Sequence, residues 1–192
     1  TIKGFKTLLD HGATQIVSAC NSVSTSIVMP MFDILELRPD NVIEMVGPVI
    51  NDFKNKDDKK ILLLATSVTI SSDLYQNAFK LINQNIDAMA ISELAGAIEH
   101  GFKYSDIKRI IENSLSRVNL NNYSTIILGC THYPLVKGIF QEVIQDKVKL
   151  YDPANAVARK INDSFNVDGK GKVVFIFSGD NRAEYALSLL AS

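Results

Sequence analysis

Apolar and polar positions along the chain follow two alternating periods. Short, almost uninterrupted apolar runs mark buried strands at residues 14–20 (TQIVSAC), 60–66 (KILLLAT), 86–92 (IDAMAIS), 124–130 (STIILGC) and 172–179 (KVVFIFSG). The stretches 41–50 (NVIEMVGPVI) and 147–152 (KVKLYD) add two more strands, the first ending in a turn at Gly47-Pro48. Between them the apolar positions recur at helical spacing. Residues 2–12 (IKGFKTLLDHG) predict a helix that stops at Gly12, and a helix follows from about Ser24. Further helices are predicted through the polar run 51–60, over 71–84 with Ser71 or Ser72 as N-cap, over 93–101, and over 105–118 capped by Ser105. Others begin near Pro134 and cover 155–165 and 181–191. Strands of this kind alternating with helices give an α/β fold, with parallel sheets covered on both faces.

Bulk properties narrow the function classes. The chain has 192 residues, 46% hydrophobic and 21% charged, with a net charge of −1. That charge provides no electrostatic footprint for nucleic acid or an anionic membrane surface. No apolar run reaches the roughly 18 residues that a membrane-spanning helix needs. The opening TIKGFKTLLD has no signal-peptide core, so the expected location is cytoplasmic. There, two cysteines are expected as reduced thiols, although a single disulfide would suit a secreted chain. A metal site is not expected: there is no CxxC, and His11, His100 and His132 are scattered. The charged run KNKDDKK predicts a solvated face and carries no function.

Chemistry concentrates at the predicted strand ends, where open α/β sheets place their ligands. Cys20 and Cys130, 110 residues apart, both terminate an apolar run and both precede small polar residues: Asn21, Ser22 and Ser24 after one, Thr131 and His132 after the other. Thr66 and Ser178 end two further strands. An isolated cysteine at a buried strand end is most often a small hydrophobe, but two in matched contexts point to a site made of two equivalent halves. A thiol before a helix N-terminus is favoured as thiolate, with a pKa in the range of roughly 3.5–7.5. His132 can orient the Cys130 thiol, exchange a proton with it, or contact a substrate, and the neighbouring N–H groups and hydroxyls can hold a carboxylate. Glu99 and His100, at a helix end, are equally compatible with ordinary surface groups.

ACNSVS and GCTHYPL resemble the two signature motifs of the glutamate racemases, cofactor-independent members of the aspartate/glutamate racemase superfamily. LLLATSVTISSDLY is similar to the family's Gly-Thr-x-x-Thr-Val-x-Ser-x-x-Tyr stretch through Thr66, Thr69, Ser72 and Tyr75, with Ala65 in place of the glycine. AIEHG resembles a Val-Glu-containing segment and places Glu99. The resemblance covers essentially the whole chain, and its His-Tyr-Pro-Leu ending points to glutamate rather than aspartate. It implies two pseudo-symmetric lobes, each a mostly parallel sheet flanked by helices, with the active-site cleft between them. Residues 1–47 and 152–192 would form the first lobe and 48–151 the second.

The same resemblance implies interconversion of L- and D-glutamate by two opposed thiols, supplying D-glutamate for peptidoglycan. Cys20 would act on the D isomer and Cys130 on the L isomer, with His132 and Glu99 assisting beside Cys130. Asn21, Ser22, Thr131 and His132 would hold the substrate's charged groups, and Thr66 and Thr69 would line the cleft. Neither pyridoxal phosphate nor any other cofactor is expected, nor a nucleic-acid or membrane partner; a homodimer is compatible with the sequence. Ser22 stands where the family usually has threonine, and MAISELAG lacks the family's Cys-Pro character. The family's opening Asp-Ser-Gly and later Pro-Tyr-Gly do not occur, so the expectation is an N-terminally shortened racemase with an incomplete first lobe. The competing expectations are a related aspartate- or hydantoin-type racemase, and a catalytically impaired remnant that binds a small carboxylate.

Overall fold

The structure, a computed structural model, describes residues 1–27, 29–56, 60–145, 147–165 and 171–177. The first part of the chain runs α1 (Ile2–Asp10), β1 (Ile16–Val17), α2 (Asn21–Ser24), α3 (Met29–Ile34) and β2 (Val42–Ile43). β1 and β2 pair in parallel, Ile16 with Val42 and Val17 with Ile43. Phe5, Ile16 and Met31 are buried together, flanked by Leu9, Ile27, Leu35, Leu37 and Val42. Gly12 has φ +86°, the left-handed conformation that lets the chain leave α1 and turn into β1.

The second sheet is larger. α4 (Val46–Phe53) leads to β3 (Ile61–Ala65), α5 (Ser67–Ser71), α6 (Leu74–Leu81) and β4 (Ile86–Ala90). α7 (Leu94–Glu99), α8 (Tyr104–Leu115), β5 (Thr125–Gly129), α9 (Lys137–Ile144), β6 (Lys149–Tyr151) and α10 (Pro153–Ser164) follow. The strand order is β4-β3-β5-β6, every pair parallel. All five residues of β3 and of β5 are buried, because helices cover both faces. Leu62, Leu64, Ile126 and Leu128 pack toward α7, α8 and α9, while Ile61, Leu63, Ala65 and Ile127 pack toward α4 and α6. Phe53 sits edge-on to Tyr151 at 4.9 Å between ring centres, so α4 is fixed to the sheet at β6. α10 returns to β2 through Ile43, Met45 and Val157.

Several boundaries differ from the sequence reading. Gly47-Pro48 lies inside the first turn of α4 rather than in a turn, since proline's missing N–H costs nothing where no intrahelical partner exists. Glu44 accepts hydrogen bonds from the N–H groups of Val46 and Gly47 and so caps that turn. The helix ends at Phe53, short of the charged run. α6 starts after Asp73, at φ +54°, and α8 after Lys103, so the serines named as caps lie beside the true ones. α2 begins at Asn21, earlier than Ser24. Residues 171–177 form no strand: Val173 to Phe177 are 40–64% exposed and no ladder partner lies beside them among the described residues. An apolar run encodes burial or pairing, and here it supplies no ladder. Ser178 and the helix expected over 181–191 lie outside the described residues.

Candidate active site

Cys20 is placed by the short path out of β1. Its backbone is extended, φ −149° and ψ 118°, and it is the N-cap of α2, half-buried and unbonded. Ser24, one turn on, donates to the Cys20 carbonyl at 3.0 Å and accepts from the Met45 N–H at 3.2 Å. This buried serine ties the cysteine turn to the end of the neighbouring strand β2. Asn21 is 2% exposed, and its Oδ1 accepts from the Tyr75 hydroxyl at 2.6 Å. Ser22 meets the second sheet: its Oγ lies 2.8 Å from Thr66 Oγ1 and 3.2 Å from Thr69 Oγ1, and the two threonines are 3.1 Å apart. Thr66 ends β3 and caps α5, accepting from the Thr69 N–H at 3.4 Å. The predicted residues Asn21, Ser22, Thr66 and Thr69 thus join elements of both sheets at the strand ends.

Cys130 follows the last residue of β5 and is 6% exposed, with its thiol unbonded. The chain then forms a one-turn 3-10 helix, Tyr133–Val136. Tyr133 is fully buried and donates to the Ile91 carbonyl at 2.9 Å, which anchors this turn to the end of β4. His132 brings Nδ1 to 3.8 Å from the Cys130 sulfur and Nε2 to 3.4 Å from Glu99 Oε2, at the end of α7. Thr131 occupies the half-buried position between Cys130 and His132. The candidates Cys130, His132 and Glu99 therefore form one line from a buried thiol to an exposed carboxylate.

The electrostatics of Cys130 depart from expectation. Burial pushes its pKa up, and the Cys20 thiol pushes it further in the same direction; hydrogen bonds from the backbone N–H groups of His132 and Tyr133 oppose this but do not win. A helix-end thiolate was expected here, yet desolvation of the charged form outweighs two N–H dipoles once the thiol is enclosed.

Three contacts were not anticipated: Tyr75 on Asn21, Ser24 on Cys20, and Tyr133 on Ile91. All three residues stood in stretches that sequence singled out, Tyr75 and Tyr133 in motifs and Ser24 after Cys20, but the Ser24 bond is one helical turn and the other two join elements distant in the chain. A groove of about 450 Å3 between α4 and α10 lies elsewhere, and its Asp52 and Arg159 are already paired to one another. Among the described residues, no group of three or more His, Cys, Asp or Glu side chains could hold a metal ion. None of their helices is long and apolar enough to cross a membrane.

Comparison with known proteins identifies the family. The family model described as Asp/Glu/Hydantoin racemase matches residues 1–161. A glutamate racemase of Lactobacillus helveticus is 30% identical over 191 residues, covering 96% of this chain and 68% of the relative. The crystal structure of glutamate racemase from Campylobacter jejuni is similar in fold at a TM-score of 0.82 and 21% identity, covering 98% of this chain and 77% of that one. The structure of the Francisella tularensis glutamate racemase in complex with D-glutamate is similar at a TM-score of 0.74 and 25% identity, covering 84% of this chain and 60% of that one. The chain thus spans between 64% and 73% of the length of the first curated relatives it matches.

Proposed function

Because the chain belongs to the Asp/Glu/Hydantoin racemase family, we propose that it interconverts L-glutamate and D-glutamate without a cofactor. The observation that carries this reading is the pairing of Cys20 and Cys130. They follow strands of two separate parallel sheets, whose ends are joined beside Cys20 by the contacts of Ser22 with Thr66 and Thr69. The names of the relatives supply the substrate, and the His132-Tyr133-Pro134-Leu135 ending supports glutamate over aspartate.

The chemistry needs a proton removed from one face of the α-carbon and another returned to the opposite face. In the L-to-D direction the Cys130 thiolate takes the α-proton and becomes a thiol. The electron pair spreads into the substrate carboxylate, and the Cys20 thiol gives its proton to the far face. The thiolate then rests on Cys20, ready for the D isomer. His132, between the Cys130 sulfur and Glu99, assists the transfer on its side. Asn21, Ser22, Thr66, Thr69, Thr131 and His132 hold the substrate's carboxylates and amine. The two sheets are read as the centres of two lobes, residues 1–47 with 152–192 and residues 48–151, and the cleft between them as the site. The product would serve peptidoglycan synthesis in the cytoplasm.

Chiral chromatography of L- and D-glutamate incubated with the protein in D2O tests the reading. Each isomer should convert to the other with one deuterium at the α-carbon. Cys20→Ser and Cys130→Ser should each abolish conversion, since a serine hydroxyl is far too weak an acid to replace a thiolate near neutral pH. Undiminished racemisation by either variant overturns the two-thiol mechanism; turnover of aspartate alone moves the substrate.

A further inference from the structure

We propose that Tyr75 is a positioning residue of this site: its phenol fixes the Asn21 carboxamide so that Nδ2 is kept as a hydrogen-bond donor for the substrate's carboxylate. The inference rests on the substrate reading above and adds a residue that reading does not use. Tyr75 is fully buried among Val46, Val49, Phe53, Leu63 and Phe79, an apolar setting that phenylalanine would fill equally well. Its hydroxyl instead crosses to the first sheet's α2 and donates to Asn21 Oδ1 at 2.6 Å. Burial, together with the Glu44 carboxylate, pushes the Tyr75 pKa well above the ordinary phenol value, so the group remains a neutral donor at any working pH.

Asn21 shows the other half of the arrangement. Its Nδ2 is buried without a hydrogen-bond partner among the described residues. A buried, unpaired amide donor is unfavourable, and most native proteins avoid one unless function requires it. Turning the amide over would not relieve the problem. Nδ2 would then face the phenol, the phenol proton would lose its acceptor, and Oδ1 would be left unpaired. The observed orientation leaves a single donor unpaired, on the residue between Cys20 and Ser22, whose hydroxyl meets those of Thr66 and Thr69. An unpaired N–H donor on the residue next to Ser22 and its hydroxyl group suits a carboxylate, which only accepts hydrogen bonds. The cross-sheet phenol sets the angle at which that donor is presented.

The test uses Tyr75→Phe, Asn21→Ala and their double variant, with racemisation kinetics and 15N spectra of asparagine-labelled protein. The Asn21 side-chain NH2 signal is assigned by its loss in Asn21→Ala. Glutamate should shift that signal in the wild type, and Tyr75→Phe should weaken the shift and raise KM roughly tenfold with a much smaller change in kcat. In the Asn21→Ala background, Tyr75→Phe should have no further effect on KM. No shift of the Asn21 signal at saturating glutamate overturns the proposal, as does an equal KM effect of Tyr75→Phe in both backgrounds. A clear shift without racemisation supports the positioning role while removing the catalytic reading, so the two fail separately. If Tyr75→Phe does not fold, Asn21→Asp decides: it keeps the acceptor for Tyr75 and deletes the donor, and unchanged glutamate affinity overturns the proposal.

Discussion

Gly129, the last residue of β5, is where fold and site are most tightly joined. Its in-register neighbour on β3 is Ala65, and the next residue is Cys130. A Cβ at position 129 would stand 2.5 Å from Leu63 Cδ1, 3.1 Å from Ala65 Cβ and 3.1 Å from the Leu64 carbonyl oxygen. Leu63 is fully buried and cannot swing into solvent, and the Leu64 carbonyl belongs to the sheet backbone. Alanine would gain about 0.5–1 kcal/mol from lower chain entropy in the unfolded state. Overpacking a closed core costs about 1–3 kcal/mol, and a 2.5 Å contact between two enclosed groups places this case in the upper half of that range. The net loss in Gly129→Ala should be about 1–2.5 kcal/mol, which lowers Tm by roughly 2–10 °C for a chain of this size. Racemisation should fall with it, because relief by moving β5 displaces Cys130. Scanning calorimetry and chiral turnover read both effects. Adding Leu63→Val removes the closest atom and should restore part of the Tm, leaving the two 3.1 Å contacts in place. A Gly129→Ala protein that melts and turns over like wild type would refute this account of why glycine occupies the position.

Other consequences concern ionisation. On the proposed mechanism the active form carries one thiolate and one thiol, so kcat/KM rises with the first ionisation of the pair and falls with the second. With the Cys130 pKa raised by burial and by Cys20, the descending limb should lie above the ordinary thiol value of about 8.5; a limb at or below it contradicts the reading. Stability has the matching sign. Above the ordinary thiol pKa the unfolded chain binds fewer protons than the folded one, so the Cys130 contribution should be lost as pH rises through its raised folded value. Denaturant melts of Cys130→Ala should lack this alkaline decline. Glu99→Gln leaves His132 its contact but removes the charge, and its rate should fall about tenfold, less than the roughly hundredfold minimum of a direct acid–base group, because it acts only through His132.

The parallel α/β architecture was legible because β3 and β5 are apolar through their length, a pattern that only a sheet covered on both faces requires. Cys20, Cys130 and Thr66 were legible because residues at the carboxyl ends of parallel strands gather where such sheets place their ligands, whereas Thr69 and Glu99 were named only through the family resemblance. What sequence missed falls into two kinds. Helix starts at Asp73 and Lys103 went unseen because neither makes a side-chain cap, so the serines beside them carried the stronger signal. The expected low pKa of Cys130 failed for a different reason. Local sequence shows the N–H groups that favour a thiolate, while the burial that opposes it comes with the apolar cluster that Cys130 shares with residues distant in the chain, Ile91 and Ile107 among them. The strand expected over 172–179 shows the same limit, since pairing depends on a neighbour that the run itself cannot specify.

The two thiols differ in ways that the reaction constrains. Cys130 is enclosed and linked to His132 and Glu99, whereas Cys20 is half-exposed at a helix start and held by Ser24 through its own carbonyl. L- and D-glutamate are mirror images and have equal free energy in water, so their equilibrium constant is one. The ratio kcat/KM must therefore be the same in both directions at every pH, however unlike the two bases are. The asymmetry can appear only in kcat and KM taken separately. In Glu99→Gln the L-to-D direction, in which Cys130 takes the proton, should lose more kcat than the reverse, and its KM should fall in proportion. Two unequal thiols are thus compatible with a symmetric reaction, because the substrate pair fixes the balance and the protein sets only the height of each barrier.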